Sequence, residues 1–265
     1  RNGANLSDED KMTYSKYSEE LSLLTLEFQK NALAASNAFS LHITDEKDLA
    51  GLPQYVVAMG AETAKERGLE GWVYTLDYPS YGPFMKSSSV RELREKMYKG
   101  HGSKAVGGEF DNTEIVKKIV DLRIRIAKLL GYETYADYAL EVRMAKNPET
   151  VEKFIEGLLV PSVPFAKKDV ADVYDYARKN GFEGNELMPW DFSFWSEKYK
   201  EAEYSLNEEL LKPYFRLENC IDAVFGLANR LYGITFQERS DVPVYHKDVK
   251  VYEVKDADGS HLALF

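Results

Sequence analysis

Residues 113–131, TEIVKKIVDLRIRIAKLLG, decide how the chain is read. Ile115, Ile119, Leu122, Ile126 and Leu129 recur at steps of three and four, which gathers them on one face of a helix. A strand would alternate every second residue, and this stretch does not. Gly131 follows the last apolar step, where a helix commonly stops. The segment is a helix with one buried face, and it needs partners of the same kind.

Upstream, Tyr17, Leu21, Leu24, Phe28, Ala32 and Ala35 follow the same spacing behind Ser7-Asp8-Glu9-Asp10, an N-terminal capping sequence. Pro53 opens a second helix and Gly68 closes it. Gly71 to Leu76 reads as a strand. YPSYGPF, residues 78–84, reads as a loop on its prolines and glycine, and a short helix is expected from about Ser89 to Lys99. GHGSKAVGGEFDN, residues 100–112, reads as a glycine-rich surface loop. Downstream, YADYALEVRMA predicts another helix, and Asn147-Pro148 a cap followed by a first-turn proline. The long pattern from Pro148 to Lys179 holds Pro161 and Pro164, so a kink or break is expected there. NGFEGNELMPW, residues 180–190, is a connector that places a lobe boundary between 1–185 and 186–265. Helices near 191–202 and 218–232 follow, Gly233 ending the second. Strands return only at the end, where Asp258-Gly259 makes a hairpin turn before Leu262. The fold class is mainly α, with a few short strands and a C-terminal β-hairpin.

The 265 residues suffice for one large or two modest domains. A net charge of −10, with basic residues dispersed, argues against nucleic acid as a partner. No run approaches the length of a membrane span. Cys220 is the only cysteine, so internal disulfides and thiolate zinc clusters are excluded, and a buried structural thiol is expected. Asn5-Leu6-Ser7 is a glycosylation triplet without a secretory context.

The chemical motifs are thin. None of His42, His101, His246 and His261 is followed by glutamate, and no two are four apart, so H-E-x-x-H is absent. Asp256-Ala257-Asp258-Gly259 brings its glycine too early for a helical calcium loop. Gly100-His101-Gly102-Ser103-Lys104-Ala105 formally matches G-x-G-x-x-A, but a helix rather than a strand feeds it. Glu208-Glu209 reads as a solvated helix face. No catalytic, cofactor-binding or metal-binding residue is assigned.

The order of segments carries more. RNGANL with its helix, YTLDYPSYGPFMKSSSVRELREKMY, DNTEIVKKIVDLRIRIAKLLGYETYADYALEVRMAKNPETV, WDFSFWSEKY, LNEELLKPYF, ANRLYGITF and VYHKDVKVYEVKDADGSHLALF occur in the order found in the thimet oligopeptidase and dipeptidyl carboxypeptidase family. The chain resembles an interior piece of these zinc metallopeptidases, nearest in pattern to the bacterial dipeptidyl carboxypeptidases. The resemblance implies a two-lobed helical parent with a narrow channel for short peptides. Zinc there would activate a water, with the motif glutamate as general base. It places the zinc helix beyond residue 265, and implies that this piece supplies channel wall, is inactive alone and self-associates through exposed core. The expected compartment is cytoplasmic, a processed periplasmic protein staying open because the chain starts at Arg1. The alternative is a stand-alone helical module that binds peptides or a protein partner.

Overall fold

A computed structural model describes residues 3–205 and 210–265, with backbone alone at Lys212. The chain divides into two compact units, Arg1–Glu203 and Tyr204–Phe265. The Glu208-Glu209 pair lies outside the described residues.

The first unit is helical. Helix α1, Asp8–Ala38, starts at Ser7, whose side chain accepts a hydrogen bond from the Asp10 N–H. It packs along α5, Thr113–Leu129. Of the apolar face read in the sequence, Ile115, Ile119, Leu122 and Ile126 are buried, each worth about 1.5–3 kcal/mol. Buried Asn112 ties the pair: its Nδ2 donates to the Phe28 carbonyl and its Oδ1 accepts from Asn31, both at 3.0 Å. Gly131 follows with φ +86°, as the stop predicted for it requires.

Strands β1, Leu41–Ile43, and β2, Trp72–Tyr74, pair antiparallel, with Leu41 opposite Tyr74. They flank α2, Gln54–Glu66, which has Pro53 as its N-cap. Their apolar side chains join α3, Tyr78–Ser87, α4, Arg91–Gly102, and Trp190 in the main core. Two expectations fail here. YPSYGPF is not a loop but most of α3. Pro79 sits in the first turn, where no backbone donor is needed, and burial of Phe84 and Met85 outweighs the donor lost at Pro83. Gly100 to Gly102 belong to the last turn of α4, so the loop spans only Ser103 to Asn112. At Gly100 a Cβ would come within 2.3 Å of the Phe39 ring, so glycine there serves packing rather than flexibility.

The sixth helix, Tyr135–Leu140, opens with a capping box between Thr134 and Asp137. It stops short of the predicted Ala145, because Val142 and Met144 are exposed and no packing rewards further turns. Helix α7, Pro148–Lys179, begins at Asn147, whose side chain accepts from the Thr150 N–H. No break occurs: the helix runs through Pro161 and Pro164. The neighbouring turns carry it, and Ser162 Oγ donates to the Leu158 carbonyl at 2.7 Å. Residues 152–171 are all exposed, while Val173 and Ala177 are buried. Helix α8, Pro189–Tyr204, follows the connector.

The second unit holds α9, Leu217–Tyr232, closed by Gly233 at φ +76°, and an antiparallel sheet in the order β3–β4–β5. These strands are Thr235–Arg239, Val251–Lys255 and His261–Leu264. The predicted hairpin is β4–β5, turning at Gly259 with φ +84°, and β3 widens it to three strands. Phe225 of α9 stacks on Phe236 at 4.0 Å and meets Tyr252 edge-on at 5.0 Å. Cys220 is half-buried rather than buried, since this unit offers only a thin layer beneath α9. Among the described residues no helix is long and apolar enough to cross a membrane.

Gly60 of α2 lies where a Cβ would sit 2.7 Å from Tyr74 Cζ, and Tyr74 is fully buried. Overpacking of about 1–3 kcal/mol exceeds the gain of about 1 kcal/mol in helix propensity. Gly60→Ala should therefore lower stability in urea denaturation, while Gly157→Ala, with nothing within 4 Å, should be neutral or stabilising. In the second unit Arg239 donates to both Asp241 oxygens at 2.7 Å and holds that carboxyl at about 2. Its folded value is depressed, so its contribution exists above the ordinary carboxylate value and is lost as pH falls toward 2. A carboxyl NMR titration of Asp241 should find its midpoint near that value, and a midpoint near 4 would remove the pair.

Candidate functional site

One buried carboxylate, Asp191, gathers two arginines around it. Arg91 and Arg94 are one turn apart on α4 and face α8. Pro189 opens α8, and Asp191, two residues on, turns its side chain back so that the Met188 N–H donates to Oδ2 at 3.2 Å. The same carboxylate, with no exposure to solvent, accepts from Arg91 Nε at 2.9 Å and Nη2 at 2.8 Å, and from Arg94 Nη2 at 3.0 Å. Arg94 also donates from Nε to the Trp190 carbonyl at 2.9 Å and from Nη1 to the Ser88 carbonyl at 2.7 Å. Its guanidinium also lies 4.2 Å from the Phe194 ring centroid.

Asp191 raises both arginines, and burial sets them apart. Hydrogen bonding to Asp191 raises Arg91, which reaches solvent. Burial is the largest influence on Arg94 and leaves it lowered although Asp191 lifts it. Both stay charged, so Asp191 faces two cations and the start of a helix, whose partial positive charge also favours it. This is a clamp in which both guanidinium groups are engaged with the one carboxylate, and it offers no free acid, base or nucleophile.

Beside the clamp lie two aromatic-walled grooves sharing Trp195. One, of about 340 Å³, is bounded by Arg91, Phe182, Gly184 and Phe194. The other, of about 430 Å³, is bounded by Tyr176, Asn180, Lys198 and Glu201. Tyr176, Phe182, Phe194 and Tyr199 pack around them edge-on or tilted.

The histidines are dispersed. His42 Nε2 is 2.6 Å from the Glu70 carbonyl oxygen, and His101 stacks on Tyr81 at 4.4 Å, its pKa lowered by burial and then by Lys104. His246 Nδ1 is 3.6 Å from Asp248. His261 Nδ1 is 3.1 Å from Glu253, which that contact keeps below the ordinary carboxylate range. Among the described residues no three histidine, cysteine, aspartate or glutamate side chains gather to hold an ion. Asp258 is engaged in its turn, Oδ1 accepting from the Ser260 N–H at 2.9 Å. The described residues do not fit a zinc site.

The sequence profile of Peptidase family M3 matches residues 84–265, from the core of α3 through the clamp to the last strand. The chain belongs to this family. Within it, the chain is 39% identical over 99% of its length to "Probable cytosolic oligopeptidase A" of Arabidopsis thaliana, covering 39% of that protein. It is 36% identical over 96% of its length to oligopeptidase A of Escherichia coli K12, covering 38%. It is also 36% identical over 99% of its length to dipeptidyl carboxypeptidase of Salmonella typhimurium LT2, covering 39%. The chain thus spans about two fifths of the length of the curated M3 relatives it matches.

Two local signals in the sequence mark the parts of the clamp, though neither pairs them. Proline at the first helical position with aspartate two residues on marks a helix start, and VRELRE puts two arginines on one face. Asp191→Ala would strand two cations, one fully buried, and should cost about 3–5 kcal/mol in urea denaturation. Asp191→Asn keeps the bond to Met188 and should cost less. A loss below about 1 kcal/mol for the alanine variant would show that the clamp does not hold α4 to α8.

Proposed function

We propose that this chain is a scaffold segment of a zinc metallopeptidase that hydrolyses short peptides, and that the segment is inert by itself. The observation that carries the reading is the match of nearly the whole chain to peptidases of which it covers two fifths. The local engagement of all four histidines supports the second half of it. In this reading zinc is held by residues outside the chain, where it would supply Lewis-acid activation. This chain contributes position: the Arg91–Asp191–Arg94 clamp fixes α4 against α8, and Trp195 stands between two grooves that suit an apolar peptide side chain.

Dipeptide release is the finer form of the proposal. Relatives named oligopeptidase A and relatives named dipeptidyl carboxypeptidase match the same stretch at nearly equal identity. This near-equality supports reading the segment as what both have in common, with the position of the cut set elsewhere. The cytoplasm is the proposed compartment, in line with the relative named cytosolic.

The test compares the 265-residue chain with the complete product of its gene on a quenched peptide, with and without chelator. The chain should bind no stoichiometric zinc and turn nothing over. The complete product should be chelator-sensitive, and mass spectrometry of its products should show dipeptides leaving the substrate C-terminus. Zinc-dependent turnover by the 265-residue chain would overturn inertness. A gene that stops directly after Phe265 would instead favour a stand-alone binding module.

A further inference from the structure

Helix α7 is anchored at its C-terminal end, where Val173 and Ala177 are buried, yet the twenty residues 152–171 are all exposed. That length is about 30 Å. Its centre, GLLVPSVPFA at residues 157–166, carries no charge. Leu158, Leu159, Val163 and Phe165 are exposed there, as are Phe154 and Ile155 just before it. At about 100° per residue these six spread over roughly 180° of the circumference, and Val160 widens the arc further. Surface helices of globular proteins keep a narrower apolar stripe and a polar opposite face, and a helix apolar over most of its girth belongs inside a larger protein.

We infer that the middle of α7 is an internal docking helix, enclosed on at least two sides by polypeptide of the same enzyme lying outside these 265 residues. The inference rests on the reading of the chain as a segment. Two observations select this occupant. The matched relatives have about three fifths of their length beyond the region shared with this chain, which is ample to cover such a helix. A second copy of the chain fits less well, because a two-helix seam covers only a narrow stripe and would leave the rest of the arc in water.

Hydrogen–deuterium exchange read on peptides covering residues 154–170 tests this, in the 265-residue chain and in the complete gene product, both unmutated. Exchange in the complete product should be slower by about tenfold or more. Equal rates in the two, with the complete product active on peptide, would overturn the inference while leaving the proposed function standing. Protection of the 265-residue chain that grows with its concentration would also overturn it, in favour of a second copy. Peptidase activity is read separately, so an inactive product with a protected helix would count against the proposed function alone.

Discussion

One buried carboxylate organises the first unit. Asp191 stands about a hundred residues from Arg91 and Arg94 in sequence and binds both, while capping the helix that carries it. A lone buried carboxylate would be costly, since removing an ion from water is repaid only by close, hydrogen-bonded partners. Here two guanidinium groups, a backbone N–H and a helix start share the task. The consequence is specificity of docking: α8 can meet α4 in one register, and Trp190 and Phe194 are placed by that register. Apolar contacts alone would tolerate sliding.

Local periodicity made most helices legible. The apolar face of α5, the caps at Ser7 and Asn147, and the glycine stops at 131 and 233 all act within a few residues, so their physics is visible in a short window. The misread elements depended on distant partners. α3 is a helix because Phe84 and Met85 fill a core built from β1, β2 and α2, and no local rule for YPSYGPF contains that information. The same holds for Gly100, whose meaning is set by Phe39 from another part of the chain. The break expected at Pro161 and Pro164 does not occur, since continuous helix on both sides outweighed two missing donors.

The candidate site was less legible than the fold. Searching for histidines and acids at catalytic spacings returns nothing here, and the described structure gives each histidine a separate local neighbour. What did carry functional information was the order of ordinary segments, and the family match rests on that order. Such a signal is distributed over packing residues, each unremarkable alone. It identifies a scaffold sooner than it identifies chemistry.

The prolines of α7 also change what the helix offers to its surroundings. Lacking N–H groups, Pro161 and Pro164 leave the carbonyls of Gly157 and Val160 without their usual helical donors. Two lone acceptors therefore sit within an otherwise greasy cylinder. In water they are satisfied by solvent, but any covering layer must replace that solvent with N–H or O–H groups at two fixed points three residues apart. For any element that covers the helix, those two points would favour one position along its length over others.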